Sequence, residues 1–183
     1  MNENNAKKVF QGKIFSVWQW EQKLYDGTTK IFERATRTDA VRVIGVLPDK
    51  KILLIWDEQP GREGILGMAG GQMDEGEVPE EAAKREFFEE TGYEVGSLTP
   101  ITTQTFPGRL IFKLHYFVGK NLKKINEPQQ SPGEKIELRT YTFEEFLALS
   151  QGEQLFDLRL RIMLLEAQLD PKKKEMLYKM LYE

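Results

Sequence analysis

Three carboxylates, Glu86, Glu89 and Glu90, stand together in the run Arg85–Thr91 (REFFEET). Residues four apart share a helix face and residues three apart lie beside them, so a helix here gathers all three acids on one side. The local signals favour that helix. Pro79 suits a first helical position, Glu80 and Glu81 suit the positive end of the dipole, and Gly92 suits a left-handed cap. The acids therefore crowd the negative end, where each costs roughly 0.3–1 kcal/mol and like charges at this spacing add a few tenths more. Arg85 can pair with Glu81 and Glu89 across one turn, which leaves Glu86 and Glu90 without a local partner. For an isolated Glu–Glu pair a solvated face is the ordinary explanation. Here the local rule is broken twice, which marks a functional site. Oxygen-only donors of high charge density suit Mg²⁺, with Mn²⁺ as the second choice.

The full register around these acids is more specific. The stretch Gly71–Tyr93 (GQMDEGEVPEEAAKREFFEETGY) resembles the Nudix box, G-x5-E-x7-R-E-U-x-E-E-x-G-U with U apolar or aromatic. Gly71, Glu77, Arg85, Glu86, Phe87, Glu89, Glu90, Gly92 and Tyr93 fill every defined position. The resemblance implies that Glu86, Glu89 and Glu90 hold divalent cations together with the backbone carbonyl of Gly70. It further implies that Arg85 orients Glu89 and that Glu77 braces the loop. Val78 departs from the pattern, standing where such boxes often carry Ser, Thr or Asp; a missing cap costs about 0.5–2 kcal/mol of stability.

Composition narrows the partners. The chain has 183 residues, 40% hydrophobic and 30% charged, enough for one well-buried domain with some extra elements. A net charge of −3 argues against binding a nucleic-acid polymer or a membrane surface. Without cysteine, neither disulfides nor thiolate metal sites are possible. No apolar run approaches membrane-spanning length, and the polar start lacks a signal-peptide core, so a cytoplasmic location is expected.

Along the chain, residues 1–8 read as a frayed tail. Residues 12–24 and 28–37 read as an antiparallel hairpin turning at Asp26-Gly27, set apart (1–38) from the main domain (39–183). Residues 40–47 and 51–56 read as the first core strands, Asp57–Gly64 as a polar turn, and Ile65–Gly71 as the strand leading into the box. Two further strands, 98–106 and 110–118, flank Pro107-Gly108; His115, mid-strand, reads as structural. Residues 119–133 read as a long loop before the strand Leu138–Tyr141. Thr142 and Glu145 form a capping box, 156–169 repeat at helical spacing, and Asp170-Pro171 starts a terminal helix.

The Nudix resemblance, covering roughly residues 40–155, implies an α/β/α sandwich around a mixed sheet. It also implies metal-dependent hydrolysis of a nucleoside diphosphate linked to another group. Weaker likeness in 9–37 is to the ADP-ribose pyrophosphatase branch, where a similar sheet exchanges across a homodimer; this would bring Phe32 near the base and Arg37 near a phosphate. Pro107 also fits that branch, with Arg109 beside it as a phosphate contact or a solvated strand end. In the same branch the general base is a glutamate before a late strand, a place matched by Glu134, with Glu137 as fallback. Two departures count against it. Glu58 stands in a loop that often carries an arginine, leaving Arg62 as the nearby cation, and Gly67-Met68-Ala69 replaces a Glu–Leu–Pro lead-in. A nucleoside triphosphate or dinucleoside polyphosphate hydrolase, or a catalytically silent binding module, remains the alternative.

Overall fold

The structure, a computed structural model, describes residues 5–129 and 133–183. Gln130, Ser131 and Pro132 of the expected long loop lie outside the described residues.

The chain opens with β1 (Lys7–Gln11), β2 (Ser16–Lys23) and β3 (Thr29–Thr36), paired antiparallel in that order. The expected hairpin is β2–β3, and its turn is closed by Asp26, which accepts from the Thr28 backbone N–H. Two corrections apply. Lys7 and Lys8 belong to β1 rather than a tail, because they pair with Gln19 and Trp18. The expected strand 110–118 is divided: β9 (Leu110–Ile111) runs parallel to β3, and β10 (Lys113–Lys120) enters the core. Stacking of Phe106 on Phe112, 4.5 Å between ring centres, fixes the break between them.

The core sheet contains β4 (Ala40–Val46), β5 (Ile52–Gln59), β6 (Arg62–Gly67), β8 (Ser97–Thr105), β10 and β12 (Lys135–Tyr141). Its order is β12-β5-β4-β10-β8, with β6 beside the far half of β5. Only β10 and β4 run parallel, which makes the sheet mixed. The supposed polar turn Asp57–Gly64 is therefore mostly strand. The arms of β5 and β6 pair as far as Gln59 and Arg62, and the turn shrinks to Pro60-Gly61. A short strand β7 (Tyr93–Glu94), just after the box helix, pairs with β11 (Lys123–Lys124), which lies inside what read as a loop.

Alternation along the strands gives the sheet two apolar faces. Val41, Val43, Leu53, Ile55, Phe117 and Ile136 meet Phe87 and the alanines of helix α1 (Pro79–Thr91). Ile44, Ile52, Leu54, Tyr116 and Val118 meet three C-terminal helices: α2 (Phe143–Ala148), α3 (Leu158–Leu169) and α4 (Pro171–Tyr182). The result is the expected α/β/α sandwich. The capping box at Thr142 and Glu145 is present, and Asp170 caps α4 through the Lys172 N–H. Helix α4 is part of the fold itself, since Leu177 and Leu181 are buried against the second face. Among the described residues no helix is long and apolar enough to cross a membrane.

Candidate active site

A fork in the sheet builds the site. β4 and β5 pair only at Gly45–Leu53 and Val46–Ile52, then part. β6 takes the place beside β5, and the segment after it runs beside β4: the Val43 N–H donates to Ala69 O and the Val41 N–H to Gly71 O. Gly70, between these two, therefore turns its own N–H and C=O away from β4. Its φ of 140° is one that side chains rarely adopt, and a Cβ there would run into the Val41 carbonyl oxygen. Gly71 differs, because a Cβ there would meet the Glu86 carboxylate, the movable end of a side chain rather than backbone.

Helix α1 delivers the acids to this segment. Its boundaries follow the sequence signals: Pro79 begins it, Gly92 ends it at φ 73°, and Val78 makes no side-chain cap. Arg85 does not reach Glu81. Its guanidinium forks onto Glu77, with Nε and Nη2 each 2.9 Å from a carboxylate oxygen, and Nη1 lies 2.8 Å from Glu86 and 3.4 Å from Glu89. The planar fork favours the two-oxygen grip on Glu77 over a single i−4 contact. Glu77 also accepts from the Asp74 N–H, which ties the Gly-rich loop to the helix. Glu86 and Glu90 are thus not left without partners, as helix spacing alone implied. Glu86 has Arg85, and Glu90 accepts from the Gly70 N–H at 2.6 Å.

Burial sets the electrostatics. Desolvation pushes the Glu90 carboxyl up to about 8, against the opposing pull of the Gly70 N–H and Arg42. Glu86 is also raised, mainly by burial and in spite of Arg85. Glu77 is lowered by its bonds from Arg85. Buried carboxylates that resist ionisation in spite of Arg85 and Arg42, beside an inward carbonyl, form an oxygen donor set whose charge is only partly offset, which is the chemistry a hard divalent cation satisfies. Glu86, Glu89, Glu90 and the Gly70 carbonyl would hold it. Among the described residues no three acidic side chains converge closely enough to cage an ion.

Three concavities adjoin the acids or lie further out. A cavity of about 550 Å³ opens on Glu90 and Gly70 and is walled by Arg42, Gln104, Tyr116, Asp157 and Arg159, among others. Sequence reasoning missed this wall. Asp157 caps α3 through the Leu160 N–H and lines the cavity with Tyr116, whose hydroxyl donates to Gln104, and only the fold brings it to the box. Arg42 had a visible signal, being the one charge inside the apolar run Ala40–Val46. Asp57 also lines the cavity; Arg62 holds its Oδ2 at 2.5 Å, while Oδ1 is buried without a partner among the described residues.

Glu134 lies in a second hollow with Glu58 and Arg62, and its charge is felt at Glu90. Glu137 is less suitably placed. Ile136 faces the α1 side, so its neighbour Glu137 points to the other side, where it lies 3.5 Å from Arg139. Glu58 accepts from Trp56 and Lys135. The third hollow gathers Phe32, Pro107 and Arg109 with Trp20 and Arg34. Arg37 is not among them; it stacks 5.0 Å from the Phe112 ring. His115 Nδ1 lies 3.0 Å from the Thr103 hydroxyl.

Comparison with known proteins agrees with this architecture. The chain is 29% identical to the ADP-ribose pyrophosphatase of Bacillus subtilis (strain 168), covering 82% of this chain and 83% of that protein. It is 28% identical to the methanol dehydrogenase activator of Bacillus methanolicus, covering 83% and 84%. A crystal structure of an ADP compounds hydrolase shares the fold, with a TM-score of 0.74, 22% identity, and coverage of 92% of this chain and 94% of that one. The NUDIX domain family matches residues 36–159. The box, the forked sheet and this match establish that the chain belongs to the Nudix hydrolase family.

Proposed function

We propose that this hydrolase of nucleoside diphosphate derivatives acts on ADP-ribose or a close nucleoside diphosphate sugar, with Mg²⁺ as the cation and Mn²⁺ able to replace it. The observation that carries the reading is the cavity of about 550 Å³ opening directly on Glu90 and the Gly70 carbonyl. It offers room for a sugar beside the diphosphate, lined with the acceptors Gln104, Tyr116 and Asp157. The names of similar proteins, an ADP-ribose pyrophosphatase and an ADP compounds hydrolase, support the same class.

The chemistry is addition of water to one phosphorus and rupture of its bond to the bridging oxygen. The second phosphate leaves with that oxygen, giving a nucleoside monophosphate and a sugar phosphate. A divalent cation, when bound, supplies neutralisation of the diphosphate charge and activation of the water. Glu134 takes the proton from the water. Arg85 holds Glu86 and Glu89 in place and is itself held by Glu77. Phe32 and Pro107 offer an apolar surface to the base, and Arg109 a charge to a phosphate. Arg62 acts at one remove by fixing Asp57, and Arg37 supports the loop that carries Phe112.

The protein works as a cytoplasmic homodimer, with residues 1–38 as the dimerisation segment of the catalytic domain 39–183. The N-terminal sheet supports this, because Trp20 is its one buried side chain while Val9, Phe10, Ile31 and Phe32 stay exposed. A panel of nucleoside diphosphate sugars, nucleoside triphosphates and dinucleoside polyphosphates, with products identified, tests the substrate class. Highest kcat/KM on a diphosphate sugar is expected; turnover of triphosphates alone, with pyrophosphate released, overturns it.

A further inference from the structure

Arg42 is a cation in an unusual place. Its neighbours on β4, Val41 and Val43, are fully buried on the α1 face, and alternation sends Arg42 to the other side, into the cavity. Its Nη1 donates to two backbone carbonyls, Val41 O at 3.0 Å and Gly70 O. The Gly70 carbonyl is the one expected to ligate the metal. The same guanidinium works against the burial that raises the carboxyls of Glu86, Glu90 and Asp157, so its charge reaches both the box and the opposite wall of the cavity. Of the other cations nearby, Arg62 is committed to Asp57, Arg85 to Glu77 and Glu86, and Arg161 to the carbonyls of Ser150 and Leu155, while Arg159 shares the cavity wall and it is Arg42 that bonds the Gly70 carbonyl.

We propose that Arg42 is a resident counter-cation, occupying the Gly70 carbonyl in the metal-free enzyme and turning to a substrate phosphate once a divalent ion displaces it. A guanidinium satisfies the inward carbonyl and offsets the buried acids, which limits the cost of gathering those acids at one place. A divalent ion brings more charge to the same oxygens and takes them over. Arg42 then stands at the junction of the metal site and the cavity, where a diphosphate must lie. Arginine is suited to that second role by its planar donors. It also accounts for how this chain manages with Glu58 in the loop where an arginine was expected. The metal half of the proposal stands without a substrate; the phosphate half rests on the diphosphate-sugar reading.

The test uses the full chain with Arg42→Met and Arg42→Lys. Mn²⁺ binding is titrated calorimetrically without nucleotide, and melting is followed in chelator. Arg42→Met should bind Mn²⁺ about tenfold tighter and melt lower in chelator. Arg42→Lys keeps the charge but loses the two-carbonyl grip, so it should also bind Mn²⁺ more tightly than the native protein. Unchanged affinity in Arg42→Lys, with a gain only in Arg42→Met, would mean simple charge repulsion and overturns the displacement. Weaker binding in either variant overturns it as well. For ADP-ribose, both variants should raise KM more than they lower kcat, Arg42→Met by tenfold or more; an unchanged KM removes the phosphate role. If ADP-ribose proves not to be a substrate, the Mn²⁺ titrations still decide the metal half. If those titrations fail while ADP-ribose is cleaved, the Arg42 assignment falls alone.

Discussion

Replacing Glu90 with Gln should make the metal-free protein more stable while removing its metal response. Glu90 is raised from 4.5 to about 8 by burial. A carboxyl with a raised folded-state pKa binds its proton more tightly when folded, so its unfavourable effect is absent below the unfolded value. That effect grows as pH rises from 4.5 and levels off above about 8. At about 1.4 kcal/mol per tenfold in proton affinity, ionising Glu90 costs on the order of 3–5 kcal/mol at the plateau. Gln is neutral at every pH and its side-chain oxygen can still accept from the Gly70 N–H. Urea unfolding in chelator at pH 5, 7 and 8.5 reads the difference. Glu90→Gln should gain little at pH 5 and roughly 2–4 kcal/mol at pH 8.5. With Mg²⁺ at a hundred times its Kd, the native protein should gain about 2.7 kcal/mol and the variant far less. A variant less stable than the native protein at pH 8.5 in chelator would show that burying the Glu90 charge is not costly, and one equally stabilised by Mg²⁺ would show that Glu90 is not a metal ligand.

Glu134→Gln should lower turnover by roughly 10²–10⁴-fold with little change in KM, while Glu137→Gln, on the other side of β12, changes it by less than tenfold; the reverse order reassigns the base. Gly70→Ala should cost roughly 1–3 kcal/mol or more in urea unfolding because its Cβ meets the Val41 carbonyl at φ 140°. Gly61→Ala, at φ 79° in open space, should cost about 1; equal costs would show that the fork is not as rigid as described. Light scattering at micromolar concentration should give a dimer mass for the full chain, and a clean monomer ends the dimer reading.

Local chemistry made the box helix legible to the residue. Pro79, Gly92 and the three acids each carry a signal that no distant contact changes, and the same holds for the Thr142–Glu145 box. β9 is different. Leu110 and Ile111 take strand form because they meet Ala35 and Thr36, so nothing local divides them from the strand that follows. β1 owes its place to Trp18 and Gln19 in the same way. The polar run after Trp56 read as a turn because its residues suit one; cross-strand pairing with β6 overrides that preference. Within the site, the acids were found through spacing, but their partners were not. Glu77 outcompetes Glu81 for Arg85 through geometry that spacing does not encode. Tyr116, Asp157 and Arg159 converge on Glu90 only after three elements have packed.

The acids of α1 are proposed to cleave a nucleoside diphosphate sugar at its pyrophosphate bond. Phosphorus NMR of the purified chain with ADP-ribose and Mg²⁺ tests it most directly, alongside chelator and Glu86→Gln controls. The expected result is AMP and ribose 5-phosphate in equal amounts, with neither control showing turnover above background. Intact ADP-ribose in the presence of Mg²⁺ would rule out this substrate, and equal turnover by Glu86→Gln would rule out the acids of α1.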